Sequence, residues 1–370
     1  MRVVNYAAWI PSHGAELEVT EAPFPTVLGD DDIIIKNQAA AVNPVDWKIQ
    51  AAPQPIFNIQ YPFILGSDVA GEVVGVGEGA RHRFKKGDRV IGHALGLSSG
   101  EAAQGAFQLY PKLKAAAVSS IPDDIPFEQA VVLPLSISTA AAGLFLKQTL
   151  GLPIPKPPAA TAATTSSCSS NSKWRATVGA EGKKEKETIL LWGGSSSVGS
   201  SVVQLAVASG YDVVATASPS NYAYVKSLGA SLVLDYHNPD IVSILAGLLK
   251  ASGTRLAGAY DAIGSDTSVR ASAAVVSALG GGRVASVGAA PEDAGGDSVE
   301  VVRISASSLV AGAPEAVRAV WGEYVPAALK AGTLVPRPRE LVVGKGLYFV
   351  QKGLDANKAG VSAAKVVITL

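Results

Sequence analysis

The chain has 370 residues and a formal net charge of zero, with 48% hydrophobic and 17% charged residues. This length predicts two domains with a large apolar core, and the neutral charge argues against nucleic acid or an anionic membrane as a general partner. The single cysteine, Cys168, excludes a disulfide framework and a thiolate zinc cage. Because residues 1–6 lack a long apolar stretch, we expect no signal peptide and a soluble, cytoplasmic protein.

The first 125 residues or so are predicted to form short strands separated by turns. Examples are 33–36, 69–76 and 89–92, and glycines punctuate the segments between them. This pattern is typical of a small, irregular, barrel-like β domain.

A helix is predicted from about Glu128 to Leu150, beginning near Pro126. Its segment 131–146 is the most apolar of the chain, but Pro134 and several serines are expected to keep it below the length that spans a bilayer. Residues 153–187 are rich in proline, alanine, threonine and serine and end in a charged run. They cannot bury enough apolar surface to fold alone, so they predict a surface loop, with a docking or regulatory role left open.

The most informative segment is a glycine- and serine-rich turn, Trp192 to Gly199. It follows the apolar run Thr188–Trp192, which predicts a buried parallel strand, and precedes a predicted helix from Ser200 to Gly210. A strand, a tight glycine turn and a helix N-terminus together form a site for a pyrophosphate, because backbone N–H groups and the helix dipole favour an anion there. The alternative is a plain connection between a strand and a helix.

From residue 188 the predicted strands alternate with helices, which indicates βαβ units and a parallel sheet. The strands are predicted at 188–192, 212–216, 231–234, 256–261, 282–287 and 299–304. A further helix is predicted near 314–331, followed by apolar pieces that end at 365–370.

The end of the second strand of this unit bears on the choice between NAD and NADP. An NAD-selecting site places an acid there, whereas residues 213–221 contain none and offer Ser218 and Asn221 instead. Lys226 and Tyr236 could complete a pocket for the 2′-phosphate, although Lys226 could equally lie on a solvated helix face. The sequence therefore favours NADPH.

Several motifs, in order along nearly the whole chain, resemble those of the zinc-free quinone-oxidoreductase branch of the medium-chain dehydrogenase/reductases. They are Asn43-Pro44-Val45-Asp46, Gly66-Ser67-Asp68-Val69-Ala70-Gly71 with Gly75, Gly87-Asp88-Arg89-Val90, the turn at 193–199, and Leu228-Gly229-Ala230. Other features are similar to the fungal trans-acting enoyl reductases of polyketide synthases: Asp46-Trp47-Lys48, the stretch 133–140, the proline-rich insertion, and Ser218-Pro219-Ser220-Asn221.

The resemblance implies an α/β fold in which a GroES-like irregular β-barrel catalytic domain is joined to a doubly wound parallel-sheet Rossmann domain. The first would span 1–135 and be completed by 308–370. The second would span 136–307, with the low-complexity insertion at about 153–187.

The resemblance also implies where an NADPH would bind. Its catalytic candidates are Lys48 and Thr139, and Asp46 would order its own turn rather than act as an acid. The cofactor-binding candidates are Val45, Asp46, Trp47, Lys48, Thr139, Gly194, Ser195, Ser196, Ser197, Val198, Ser218, Asn221, Lys226, Tyr236, Ala262, Ile263, Val361 and Ser362.

No metal is expected. Zinc alcohol dehydrogenases carry Gly-His-Glu where this chain has Gly66-Ser67-Asp68, and the family's cysteine ligands are missing. The four histidines, His13, His82, His93 and His237, show no paired spacing, and each is expected to be a surface or turn residue.

The expected reaction is NADPH-dependent reduction of an enoyl thioester, free or held on a carrier, for which a polyketide synthase would be the partner. Two alternatives stay open: a quinone or 2-alkenal reductase, and an NADPH-binding protein without enzymatic activity. A monomer and a homodimer are both compatible with the sequence.

Overall fold

The computed structural model describes residues 3–26, 28–159 and 187–370. Most of the expected loop at 153–187 lies outside these residues. The elements of the N-terminal part are β1 Asn5–Ile10, β2 Glu18–Ala22, β3 Asp32–Ala41, α1 Pro44–Ala51, β4 Phe63–Ile64, β5 Asp68–Val76, β6 Arg89–His93, α2 Gly96–Ser99, β7 Lys112–Lys114 and β8 Val118–Ser120. Short 3₁₀ turns lie at Glu78–Ala80, Ala102–Gln104 and Ala115–Ala117.

The N-terminal strands form two sheets rather than one regular barrel, the smaller one antiparallel and the larger one mixed. The smaller sheet has the order β2-β1-β4. The isoleucine run at 33–35 is almost fully buried in β3, since branched side chains suit a strand that packs on both faces. The predicted irregular β domain is therefore confirmed.

Two helices link this part to the rest of the chain, α3 Phe127–Ala130 and α4 Pro134–Phe145. The prediction of one helix from Glu128 to Leu150 is wrong. Pro134 lies in the first turn of α4, where its missing N–H costs nothing, whereas inside a continuous helix it would remove a hydrogen bond. Leu146 then adopts an extended conformation and ends the helix.

The expectation that Pro134 shortens this segment below bilayer length is also wrong. Within the described residues, the stretch Phe127–Phe145 has 19 residues and a mean hydropathy of 1.3, enough by length and composition to cross a membrane. However, 72% of it is buried within the protein, where α4 contributes to the largest hydrophobic cluster. Such burial is typical of a core helix.

The parallel sheet begins after the undescribed segment. Its elements are β9 Glu187–Trp192, α5 Ser197–Ala208, β10 Asp212–Thr216, α6 Tyr222–Ser227, β11 Leu232–Leu234, α7 Ile241–Ser252, β12 Arg255–Asp261, α8 Asp266–Ala278, β13 Gly282–Ser286 and β14 Val299–Arg303, with a 3₁₀ turn at Pro219–Asn221. The strand order is β11-β10-β9-β12-β13-β14, and every pairing is parallel. This order is that of a doubly wound Rossmann sheet. All six predicted strands are confirmed to within a residue or two.

The C-terminal elements are α9 Ala306–Gly312, α10 Pro314–Val317, a π-helical segment Arg318–Tyr324, α11 Val325–Ala331, β15 Arg339–Lys345, a 3₁₀ turn Leu347–Phe349, α12 Val350–Ala359 and β16 Ala364–Thr369. Strand β16 pairs antiparallel with β3, so the larger N-terminal sheet has the order β15-β16-β3-β5-β6-β8, with β7 paired to β3. The C-terminal strands thus complete the larger N-terminal sheet. The domain bounds predicted from the sequence remain a proposal.

Helix α4 packs closely against the parallel sheet. A Cβ at Gly143 would lie 2.3 Å from the Tyr260 ring, so only glycine fits there without movement. The Tyr260 hydroxyl donates a hydrogen bond to the carbonyl oxygen of Thr139 at 2.8 Å. Strand β12 therefore fixes the position of Thr139 on α4.

Candidate functional site

The glycine-rich turn after β9 is tight because its backbone segments touch. Gly193 has a φ of +84°, a conformation that favours glycine. A Cβ at Gly199 would lie 2.2 Å from the carbonyl oxygen of Gly193, and one at Gly194 would lie 2.9 Å from Val225. Glycine is therefore required at each position.

The first turn of α5 presents polar groups that suit an anion. Ser196 caps the helix, since its hydroxyl oxygen accepts a hydrogen bond from the N–H of Gly199 at 2.9 Å. The Ser197 hydroxyl is buried and has no hydrogen-bond partner among the described residues. Val198 is partly buried against the main core. An orphaned hydroxyl beside unpaired helix N–H groups matches the donor set of a pyrophosphate site.

A cavity of about 600 Å³ lies beside this turn. Eight of the predicted cofactor residues line it: Ser195, Ser196, Ser218, Asn221, Tyr236, Ile263, Val361 and Ser362. The Ser218 hydroxyl donates to that of Tyr236 at 3.3 Å, and the Asn221 amide donates to Ser362 Oγ at 3.0 Å. The fold therefore brings the end of β10 next to the segment before β16.

Lys226 and Ala262 are cofactor candidates that do not line this cavity in the described structure. Lys226 is exposed on α6, as expected for a solvated helix face. Ala262 is buried directly after β12. The cofactor roles of both residues stay predictions.

Asp261 fixes the turn that carries Ile263. Its carboxylate accepts hydrogen bonds from the N–H groups of Ile263 and Gly264 at 3.0 and 3.1 Å. It also accepts from the hydroxyls of Ser268 and Ser286, at 3.1 and 3.0 Å. Burial raises the pKa of Asp261, while these hydrogen bonds act in the opposite direction. The turn is therefore held rigidly at the edge of the larger cavity.

A second cavity, of about 460 Å³, lies between the parallel sheet and the N-terminal domain. Val45 and Phe57 line it from the N-terminal domain, Thr139 from α4, and Val287 and Ile304 from the sheet. Ser67 and His93, which are only 3% and 4% exposed, lie at its floor, whereas the exposed Arg303 lies at its mouth.

Thr139 has a fixed hydroxyl in this smaller cavity. Its Oγ1 donates a hydrogen bond to the carbonyl oxygen of Leu135 at 2.6 Å. Because that bond uses its one proton, the hydroxyl can only accept from a ligand. An amide N–H of a bound molecule would satisfy it.

Helix α1 carries three further site candidates, Asp46, Trp47 and Lys48. Asp46 is fully buried, and its carboxylate accepts from the N–H groups of Asn43 at 2.8 Å and Gly66 at 3.2 Å. Burial raises the pKa of Asp46 to about 7. These contacts suit a residue that orders the turn.

Lys48 lines neither cavity in the described structure. It is exposed, and its Nζ lies 5.8 Å from the ring centre of Trp47. The Trp47 indole donates to Asn357 Oδ1 at 3.1 Å. The structure therefore does not bring the two catalytic candidates, Lys48 and Thr139, into one cavity, and their roles stay predictions.

Two family models match the chain. One, described as an alcohol dehydrogenase GroES-like domain, matches residues 29–123, and the other, described as a zinc-binding dehydrogenase, matches residues 197–325. The dehydrogenase azaJ of Aspergillus niger is 40% identical over 373 residues, which cover 99% of both chains. The chain belongs to the medium-chain dehydrogenase/reductases.

Further members of this superfamily refine the comparison. The trans-enoyl reductase himH of Aspergillus japonicus is 39% identical over 372 residues, 100% of this chain and 98% of himH. This relative confirms the resemblance to fungal trans-acting enoyl reductases. An alcohol dehydrogenase superfamily structure from Novosphingobium aromaticivorans has a TM-score of 0.75 at 24% identity, covering 99% of both chains. A mycobacterial structure in complex with NADPH has a TM-score of 0.67 at 24% identity, covering 99% of this chain and 100% of the other. Both structures support the predicted two-domain fold.

Within residues 3–26, 28–159 and 187–370, no three histidine, cysteine, aspartate or glutamate side chains are placed to hold a metal ion. A buried ion pair lies beneath α1, where Lys365 Nζ is 2.9 Å from Asp68 Oδ2. Asn43 bridges the pair, because it donates to Asp68 at 2.7 Å and accepts from Lys365.

Sequence reasoning missed this ion pair and misplaced one histidine. A usable signal for Lys365 was present, since it is a lysine inside an otherwise apolar strand. The prediction that His93 lies on the surface or in a turn is wrong, because it ends the buried strand β6. Burial lowers the pKa of His93 to about 4. Nothing in its spacing indicated that β6 ends at a cavity.

Proposed function

We propose that this chain is an NADPH-dependent reductase of activated C=C bonds, and that its substrate is an enoyl thioester carried by a polyketide synthase. The observation that supports this function best is the composition of the smaller cavity. Its described lining combines apolar side chains with neutral polar groups and one cation, Arg303 at the mouth, and contains no carboxylate or thiol. Such a surface suits an uncharged, conjugated carbonyl compound. The name of himH, a trans-enoyl reductase, agrees with this substrate class.

The residues at the larger cavity suit a nicotinamide dinucleotide. The α5 N-terminus and the Ser197 hydroxyl would hold the pyrophosphate, and Ser218 and Tyr236 would lie at the adenosine ribose. NADPH is proposed over NADH because β10 ends without an acid that would repel a 2′-phosphate. The NADPH complex of the mycobacterial relative agrees with this choice.

When bound, the reduced nicotinamide supplies the hydride that reduces the C=C bond. The chain's own residues would then position the reactants. Thr139 would accept a hydrogen bond from the carboxamide of the cofactor, while Val45, Phe57 and Ile304 would pack against the substrate. Lys48, exposed on α1, would have to turn towards the substrate to stabilise the enolate or to donate a proton.

Reduction without zinc is part of the proposal. The carbonyl oxygen then needs protein donors, because no metal polarises it. Elemental analysis of the purified protein and activity after chelation test this point. Stoichiometric zinc whose removal abolishes turnover would contradict it.

A panel of acceptors tests the function itself. NADPH oxidation is followed with short enoyl thioesters, quinones and 2-alkenals, each at saturating NADPH. We expect the highest kcat/KM with an enoyl thioester. Faster reduction of quinones or 2-alkenals would instead establish a reductase of free small molecules, and NADPH binding without any turnover would establish a binding protein.

The partner and location follow as further parts of the proposal. A carrier-bound substrate requires transient docking to a polyketide synthase, as the name of himH suggests for that protein. We propose a cytoplasmic monomer or homodimer. Cross-linking to an acyl carrier protein and sedimentation of the purified chain test these statements.

A further inference from the structure

His93 is a buried titratable side chain at the floor of the smaller cavity. It is the last residue of β6 and lies opposite Asp68 in the β5–β6 ladder, so the backbone holds it in place. Its side chain is 4% exposed and lines the cavity alongside Thr139. None of the cofactor contacts described above uses it.

Two hydrogen bonds determine which ring nitrogen of His93 carries the proton. The Trp321 indole donates to Ser138 Oγ at 3.1 Å, and the same oxygen lies 3.0 Å from His93 Nδ1. Since an indole can only donate, the Ser138 oxygen accepts from Trp321 and keeps its own proton for Nδ1. The opposite arrangement would leave a buried hydroxyl proton without an acceptor, which is costly. The proton of the ring therefore lies on Nε2.

The Nε2 atom faces the cavity. It makes no hydrogen bond within the described part of the chain, and it is not among the enclosed atoms that lack a partner. Burial keeps the ring neutral by lowering its pKa to about 4, against the opposing effect of the nearby Asp68. A neutral imidazole in this orientation offers one N–H donor to a ligand, as in enzymes that polarise a carbonyl with a neutral histidine.

We propose that His93 is a catalytic residue whose Nε2–H donates a hydrogen bond to the thioester carbonyl oxygen and to the enolate oxygen that forms from it. Ser138 and Trp321 are positioning residues, because they act only through the tautomer and orientation of His93. This inference rests on the proposed function. It assigns the electrostatic role that a metal would otherwise have to a residue outside the predicted site.

The chemistry balances without proton transfer from His93. Hydride addition to the β-carbon displaces the electron pair of the C=C bond, which becomes the enolate and places negative charge on the thioester oxygen. The Nε2–H bond stabilises that charge and stays intact. Water, entering from the cavity mouth, supplies the proton that the α-carbon takes up as the carbonyl forms again.

Two substitutions at His93 distinguish the effect of its N–H donor from the effect of its side-chain volume. His93→Phe fills the space without a donor, and His93→Gln keeps an N–H donor. We expect His93→Phe to lower kcat for an enoyl thioester by about 100-fold with little change in KM, the usual effect of losing one such donor. His93→Gln should recover part of this loss. Circular dichroism and NADPH affinity, which should match those of wild type, check that each variant is folded.

A spectroscopic measurement tests the same contact without turnover. Oxidised NADP⁺ and a cinnamoyl N-acetylcysteamine thioester are added to the full chain, so that no hydride is available. A hydrogen bond to the carbonyl polarises the conjugated system, and the bound thioester should absorb at longer wavelength than the free one. The shift should disappear in His93→Phe and persist in His93→Gln.

A double-mutant cycle tests the positioning role of Ser138. Ser138→Ala should lower kcat in wild type but cause no further loss in His93→Phe, because the hydroxyl acts through the ring. Ser119→Ala, which removes a buried hydroxyl that donates to the Ser120 carbonyl, is the matched control and should change nothing.

The outcomes distinguish the two proposals. If wild type reduces enoyl thioesters and His93→Phe retains its kcat within about threefold and its absorption shift, the role of His93 is wrong while the proposed function stands. Additive losses in the cycle would refute the positioning role. If wild type reduces no enoyl thioester, both proposals fall.

Discussion

On the proposed function, single side chains at the end of β10 decide which dinucleotide the larger cavity favours. Ser218 and Tyr236 are joined by a hydroxyl–hydroxyl hydrogen bond of 3.3 Å, and Asn221 reaches across to Ser362. These neutral groups can donate to a phosphate, whereas a carboxylate would bind ribose hydroxyls and repel the phosphate. The choice of cofactor therefore depends on the charge of one position.

Ser218→Asp should reverse the preference for NADPH. We expect NADPH affinity to fall by at least about tenfold, the effect of one unfavourable charge contact of ~1.4 kcal/mol, with NADH affinity unchanged or higher. Fluorescence titration with both cofactors measures the change. Ser227→Asp, on the exposed end of α6, adds the same charge away from the cavity and is the control. Equal weakening by both variants would mean that only net charge matters.

Burial shifts the pKa values of His93 and Asp46 in opposite directions. The pKa of Asp46 is raised from 3.8 to about 7, so its contribution to stability is present below about pH 4 and is lost as pH rises through 7. The pKa of His93 is lowered from 6.5 to about 4, so its contribution is present above pH 6.5 and is lost as pH falls through 4.

His93→Phe and Asp46→Asn should therefore have opposite pH signatures. Between pH 4 and 7, wild type should gain stability relative to His93→Phe as pH rises, and should lose stability relative to Asp46→Asn. Urea unfolding at several pH values gives both differences in unfolding free energy. Parallel slopes for wild type and either variant would show that folding does not shift the pKa of that residue.

At the scale of elements, the buried Lys365–Asp68 pair joins β16, β5 and α4. Asp68 also accepts a hydrogen bond from the N–H of Leu135 at 2.6 Å, so it contacts the first turn of the helix that carries Thr139. Both charged residues are almost fully buried, at 3% and 0% exposure. Each charge is therefore tolerated only because the other is present.

Lys365→Met should destabilise the fold by about 3–5 kcal/mol, because it leaves the buried Asp68 carboxylate without its cation. The double variant Lys365→Met/Asp68→Asn should be more stable than Lys365→Met alone. Chemical denaturation measures both. A double variant that is less stable than the single one would show that the pair is not coupled as described.

The contact between α4 and β12 depends on the absence of a side chain at residue 143. Gly143→Ala should destabilise by about 1–3 kcal/mol through overpacking, since the new Cβ would lie 2.3 Å from Tyr260. Gly247→Ala on α7, where a Cβ would meet nothing within 4 Å, should instead stabilise by about 0.5–1 kcal/mol. Thermal unfolding compares the two. Similar effects from both variants would mean that helix propensity alone explains them.

At the scale of the whole molecule, the alternation of strands and helices could be predicted from the sequence. The contacts between segments that are distant along the chain could not. The six strands of the parallel sheet follow from short apolar runs separated by helices and glycine turns, because local periodicity reports local structure. The break before α4 was missed because the serine- and alanine-rich stretch continues a helical pattern across Pro134. Neither Lys365 beneath Asn43 nor His93 beside Trp321 could be inferred, since 322 and 228 residues separate the partners along the chain.

The candidate site residues likewise include some whose placement could be predicted from the sequence and others whose placement could not. Residues of the glycine turn and the β10 end line one cavity because the βαβ unit fixes their relative positions. Lys48 was inferred from resemblance alone, and the exposed end of α1 provides no local constraint on its side chain. The floor of the smaller cavity is built by the junction of β6, α4 and the π-helical segment, which no single sequence window contains.

Strands β15 and β16 complete the larger N-terminal sheet, so we expect the two parts of the chain to fold in a fixed order during synthesis. The parallel sheet is complete once Arg303 has been synthesised, so we expect this part of the chain to fold while the rest is still being made. The N-terminal sheet must wait for β16, because until Lys365 emerges the Asp68 carboxylate has no cation and β3 has an open edge. In a nascent chain stalled before residue 364, the parallel-sheet part should therefore resist protease. The N-terminal part should stay open to cleavage and to chaperone binding.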